Sequence, residues 1–106
     1  MLLVTGRVRC EADKRDQLIA LFERMQNASR AEDGCIRYGF FAAVEDPLSF
    51  VAVEEWADRP ALDRHFAQPH LQEFARGLLE AVSEPPEVAI HEVAETSPFP
   101  GREATA

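Results

Sequence analysis

Residues 49–70 read SFVAVEEWADRPALDRHFAQPH, and this stretch decides the fold. Phe50, Ala52, Glu54 and Trp56 fall on one side of it, Val51, Val53 and Glu55 on the other. A period of two marks a strand. Asp58, with Pro60 two places on, then reads as a helix start. Its carboxylate can take an orphan N–H of the first turn, and proline has no N–H to lose there. Leu62, His65 and Phe66 lie at helical spacing behind it. Gln68-Pro69 breaks the pattern, because the residue before a proline is pushed out of helical geometry. The stretch holds the one tryptophan and two of the three histidines. Polar and aromatic groups at a buried strand end, facing the first turns of the next helix, are the furniture of a small pocket.

Upstream, Leu2, Val4, Gly6, Val8 and Cys10 alternate with Leu3, Thr5, Arg7 and Arg9, a strand with one apolar face. Asp13 is the expected start of the first helix, with Asp16 placed to favour the helix dipole. Leu18, Leu21, Phe22, Met25 and Ala28 form its apolar stripe. Gly34 supplies the left-handed residue that ends it, after Glu32-Asp33. Cys35 to Val44 reads as an aromatic-rich strand, with Ile36, Tyr38 and Phe40 on one face and Arg37, Gly39 and Phe41 on the other. Glu45-Asp46-Pro47 turns it back as a hairpin onto the 49–56 strand. Downstream, Leu71, Phe74, Leu78 and Val82 continue the second helix, restarted at Pro69 and stopped by Pro85-Pro86. Glu87 to Ala94 is a last strand, and 96–106 is a polar tail without periodicity.

The order β-α-β-β-α-β specifies an α+β, ferredoxin-like domain over residues 1–95: a four-stranded antiparallel sheet with two helices on one face. Phe40 lies against Phe41 and Phe50 against Val51, so several strands are apolar on both faces. Two helices cover only one face. A second copy of the chain is therefore expected over the other, as a homodimer, with a flat apolar ligand between the two sheets. The first two strands should be separated by the third, about 10 Å apart, which is too far for a Cys10–Cys35 disulfide.

A length of 106 residues is that of one domain. A net charge of −8 without a basic stripe argues against nucleic acid. The two cysteines form no CxxC, which argues against a thiolate metal or redox site. No apolar run reaches membrane-spanning length and MLLVTGRV is not signal-like, so no membrane contact and a cytoplasmic location are expected. His65 and His70 are five apart with Pro69 between them, so these two with Glu54 lack the i, i+4 spacing of a helical metal site, and no metal is expected.

Two stretches carry a family resemblance. Glu32-Asp33-Gly34-Cys35-Ile36-Arg37-Tyr38 resembles the E-x-G-C-x-x-Y lead into the second strand of the antibiotic biosynthesis monooxygenase (ABM) family. Glu54-Glu55-Trp56, Leu62, His65 and Pro69-His70 resemble its E-x-W, L-x-x-H and P-H pattern in the same order. The resemblance spans residues 2–94 and implies a dimeric α/β barrel of ferredoxin-like subunits. It implies a quinol-monooxygenase-like enzyme, oxidising a small aromatic or quinol with O2 and no cofactor. On that reading His65 accepts the substrate proton, while Trp56 and Phe66 clamp the ring. Arg7 or Arg37 stabilises the oxyanion, and Glu54 either orients His65 or is the buried partner of Arg7; His70, just after Pro69, either shapes the kink or reaches the ligand. The haem-degrading and polyketide-oxidising branches of the family use a strand asparagine; the one asparagine here, Asn27, is on the first helix. The alternative is a non-catalytic small-molecule-binding domain of the same fold.

Overall fold

The computed structural model describes residues 1–100. Strands β1 (Leu2–Arg9), β2 (Cys35–Ala42), β3 (Ser49–Trp56) and β4 (Glu87–Glu92) form one antiparallel sheet in the order β2-β3-β1-β4. Helices α1 (Arg15–Arg30), α2 (Arg59–Phe66) and α3 (Pro69–Ala81) complete the α+β ferredoxin-like arrangement. Cys10 and Cys35 are free thiols, and β3 separates their strands.

The register sorts the sheet residues between its faces, since directly opposed residues point the same way. Leu2 opposes Trp56, Val4 opposes Glu54 and Val8 opposes Phe50, while Tyr38 opposes Glu54 and Phe40 opposes Ala52. These side chains meet the helices. One cluster joins Leu2, Val4, Tyr38 and Trp56 to Met25 and Leu62; a second joins Val8 and Phe50 to Leu18 and Phe22. Phe22 stacks on Phe40, with ring centres 4.0 Å apart. Phe50 is thus a core residue, whereas Phe41 lies on the uncovered face and is 59% exposed. The strand runs correctly read as apolar on both faces divide in this way.

The start of α1 and the ends of β2 and β4 differ from the sequence reading. Asp13 belongs to a 3-10 turn, Ala12–Lys14, and α1 begins at Arg15 with no side-chain cap. Asp13 adds negative charge at that end but holds no backbone N–H. The restart read at Gln68-Pro69 is present as two separate helices: Gln68 is extended (φ −70°, ψ 141°), and Pro69 opens α3. β2 ends at Ala42 and β4 at Glu92, each two residues early. Asp46 shapes the hairpin loop, its carboxylate accepting from Leu48 N (3.0 Å) and Ser49 Oγ (2.7 Å). The tail through Pro100 carries no strand, and the rest of it lies outside the described residues.

Two local devices place the site. Asp58 caps α2 by accepting from Ala61 N at 2.9 Å, which aims the helix back over β3. Gly34 has φ 83°, and its carbonyl accepts from Ala57 N at 2.8 Å. A Cβ on Gly34 would stand 2.5 Å from Ala61 Cβ. Only glycine lets the α1–β2 loop close on the start of α2, and that loop carries Glu32.

Candidate active site

The site begins on β3. Glu54 and Trp56 are two residues apart, so both point to the helix side. The Trp56 indole N–H donates to Glu54 Oε1 at 3.0 Å. Trp56 is fully buried, with the His65 ring 4.5 Å from its own, centre to centre. Tyr38 meets His65 edge-on at 5.6 Å. His65 sits on the inner side of α2 beside Leu62 and is 1% exposed.

Both histidines converge on one carboxylate oxygen. His65 Nδ1 lies 2.8 Å from Glu32 Oε2, and His70 Nε2 lies 2.9 Å from the same atom. An ionised carboxylate only accepts, so both of these ring nitrogens carry hydrogens when Glu32 is charged. His65 Nε2 faces Glu54 Oε1 at 3.9 Å. Among the described residues Glu32 Oε1 is buried without a partner. The break at Gln68-Pro69 makes this convergence possible: His65 ends one helix, His70 begins the next, and the turn between them brings both to Glu32.

Burial sets the charges. It pushes the Glu54 carboxyl up to about 7, helped by the nearby Glu32 and opposed by hydrogen bonds from Trp56 and Tyr38. It pulls His65 below the usual imidazole value, opposed by the Glu32 hydrogen bond and charge. It raises the Tyr38 phenol, with Glu54 adding to the effect, and the Cys35 thiol to about 11. At neutral pH His65 is a neutral ring, and Tyr38 and Cys35 keep their protons.

The expected site residues fall into three groups. Trp56, Glu54, His65 and His70 are together. Arg7 and Arg37 are on the other face of the sheet, where Arg37 pairs with Glu55 at 3.4 Å. Neither arginine can face an oxyanion beside His65, because β3 and its neighbours lie between. Phe66, expected to clamp a ring together with Trp56, is 42% exposed while Trp56 is fully buried, so the two do not form one enclosed wall. His65, expected to accept the substrate proton, is walled in by Trp56, Tyr38 and Leu62. His70, a quarter exposed, is the histidine that reaches an opening. That opening is a cleft of ≈ 170 Å³ between α1 and α3, lined by Leu21, Met25 and Phe74, with Arg24 and Glu73 at its rim. Glu32 was not among the residues expected at the site. Its signal was the Glu32-Asp33-Gly34-Cys35 motif, in which the glycine turn sets the glutamate against α2.

The donor atoms of Glu32, His65 and His70 lie within 4.8 Å of one another, close enough to close on a small cation. Their 2.8 and 2.9 Å contacts are also the lengths of charge-assisted hydrogen bonds.

The profile of the antibiotic biosynthesis monooxygenase family matches residues 1–77. The chain belongs to this family. A Synechocystis protein, the uncharacterised sll1783, is 36% identical over 95 residues, which cover 90% of this chain and 65% of that longer protein. Among solved ABM-like structures, Rv0793 from Mycobacterium tuberculosis superposes with a TM-score of 0.85 at 28% identity, covering 92% of this chain and 98% of its own. A crystal structure of an antibiotic biosynthesis monooxygenase gives a TM-score of 0.83 at 27% identity, covering 90% and 100%. In this ABM chain the matched segment contains Glu32, Glu54, Trp56, His65 and His70.

Proposed function

We propose that this ABM protein is a cofactor-independent monooxygenase that oxidises a small aromatic or quinol with O2. The observation that carries the reading is the pair of histidines on one buried carboxylate, opening through His70 onto an apolar cleft of ring size. A cavity of about 150 Å³ takes a benzene ring, so the cleft suits one aromatic ring. Leu21, Met25 and Phe74 supply its apolar walls, and Arg24 a positive charge at the rim. The position expected for His65 alone thus passes to a unit: His70 meets the substrate, with Glu32 and His65 behind it.

The chemistry balances without a cofactor. His70 Nδ1 takes the proton of the substrate's phenolic O–H, or of the acidic CH2 of an anthrone, while Nε2–H leans on Glu32. The electron-rich anion passes one electron to O2, and the radical pair joins through a new C–O bond. The peroxide oxygen takes a proton back. The O–O bond then breaks as the remaining hydrogen on that carbon leaves as a proton. One oxygen atom stays in the product, the other departs as water, and the substrate carbons supply all the electrons. The protein's part is to hold the ring, move the proton and exclude water.

The proposal includes a homodimer through the open sheet face, where Phe41 and Val51 are exposed, and turnover in the cytoplasm. No helix among the described residues is long and apolar enough to cross a membrane.

One observation favours the rival reading of a binding domain without turnover: the protein's own side chains fill the space around His65 and Trp56. Oxygen uptake by metal-depleted protein with a panel of hydroquinones and anthrones separates the two. The proposal expects uptake matched by product, unchanged by added chelator. Binding of the same compounds without oxygen consumption would establish the rival.

A further inference from the structure

We infer that Glu32, His65 and His70 form a binding site for one divalent ion of the zinc type, and that this ion switches off the His70 base. The binding stands apart from the monooxygenase reading; only the effect on turnover rests on it. His65 Nδ1 lies 2.8 Å and His70 Nε2 2.9 Å from Glu32 Oε2, and the donors of the three residues lie within 4.8 Å of one another. The spacing of His65 and His70 with Glu54 argues against a metal site on one helix. The third donor is instead Glu32, carried in by the Gly34 turn, and the Pro69 break turns both histidines onto it.

The two carboxylates of the site call for a cation. The Glu32 side chain is 10% exposed, yet among the described residues its Oε1 has no partner. A buried acceptor left alone is costly until something positive meets it. Among the described residues no lysine or arginine pairs with Glu32 or Glu54. Two imidazoles and a carboxylate are a zinc donor set, whose bonds of about 2.0–2.1 Å put neighbouring donors about 3.3 Å apart. The two short contacts then open by about 0.5 Å, a small turn of each ring. A water on the His70 side, towards the cleft, completes the tetrahedron. Calcium and magnesium prefer oxygen donors throughout. Oxygen-activating iron uses the same donors but needs several open positions, and Trp56 and Tyr38 close the His65 side. A metal-bound imidazole gives its other N–H to a carboxylate. Glu54 Oε1 stands 3.9 Å from His65 Nε2 for that role, a gap that the same ring turn has to shorten.

The ion and the base exclude each other by tautomer. Without metal, both contacting nitrogens carry hydrogens towards the ionised Glu32, which leaves His70 Nδ1 bare to take the substrate proton. A neutral imidazole that gives Nε2 to a metal keeps its hydrogen on Nδ1 and has no lone pair left there. Metal on Nε2 thus removes the base without filling the cleft. His65 changes in the opposite sense, with Nδ1 on the metal and the hydrogen on Nε2.

The test takes the whole chain, stripped of metal by a chelator, and titrates it with Zn2+ against a zinc-sensitive dye while nitrogen NMR follows the histidine rings. The expected result is one ion per chain. The ring hydrogen should move from Nδ1 to Nε2 in His65 and from Nε2 to Nδ1 in His70, while His91, exposed on β4, stays unchanged. His70→Ala and Glu32→Gln should each weaken binding by about 100-fold or more, since even the outer partners of a ligand cost 10–100-fold. Absence of saturable binding, shifts confined to His91, or saturation with the His65 ring unmoved overturns the site, whether or not the variants fold. Oxygen uptake with a hydroquinone should fall in step with zinc occupancy. Uptake that persists at full occupancy, or that rises with Zn2+ or Fe2+, overturns the switch. If the metal-free chain consumes no oxygen with any hydroquinone or anthrone, the monooxygenase reading fails instead, and the His70 tautomer alone then judges the switch.

Discussion

At the scale of the residue, the pH behaviour of Glu54 is open to a stability measurement. Its carboxyl is raised to about 7 in the folded chain, so the folded state binds that proton more tightly than the unfolded one. The associated stability is complete below the ordinary glutamate value and is lost as pH rises through about 7. A shift of this size corresponds to about 3 kcal/mol. His65 acts oppositely: its lowered value costs stability as pH falls and the buried ring must charge. Denaturant melts of wild type and Glu54→Gln should therefore converge in acid and diverge above neutrality, the variant being the more stable there. A difference independent of pH would show that Glu54 does not titrate in this range. The rates test the histidines as a unit. His70→Ala and His65→Ala should each lower quinol oxidation by roughly 100-fold, the usual scale for a general base. The double variant should be little slower than either, because members of one unit are not additive. A double loss near the product of the singles would separate them, and an unchanged His65→Ala rate would make that histidine structural.

At the scale of the element, the site depends on how α2 is started and on what closes against it. Gly34→Ala puts a non-glycine residue at φ 83° and a methyl 2.5 Å from Ala61 Cβ. Backbone strain of about 1–3 kcal/mol is expected, with overpacking added. Because the shift moves Glu32, the variant should lose the common contact of His65 and His70 as well as stability. Thermal melts with His ring NMR would check both, and a stable variant with unaltered rings would count against the clamp. Asp58→Ala removes one cap and should cost about 1 kcal/mol without moving Glu32.

At the scale of the whole molecule, the helices cover only one side of the sheet. The exposed Phe41 and Val51 on the other side are the proposed dimer contact. Sedimentation should find Phe41→Asp as a folded monomer, whereas Phe50→Asp should unfold because Phe50 is 3% exposed within the second core cluster. A wild-type chain that stays monomeric at micromolar concentration would remove the dimer. The Thr96–Phe99 segment is exposed and carries no strand, so deletion of residues 97–106 should leave the melting temperature nearly unchanged. A large drop would make the tail part of the fold.

The sequence by itself determined the elements, because periodicity and caps are local: the alternation from Phe50 to Trp56, the Asp58 cap, the Gly34 stop and the Pro69 break all act within a few residues. It also determined that Glu54 and Trp56 share a face, which follows from their spacing along a strand. Only the tertiary structure decided which face the helices cover, and so that Phe50 is core while Arg7 and Arg37 stand apart from His65. The strand pattern is symmetric between faces until packing breaks the symmetry. It likewise decided that Glu32, 33 residues before His65 and 38 before His70, is where the two histidines meet. That contact depends on the path of two loops and the break between two helices, and no local pattern encodes the distance between them.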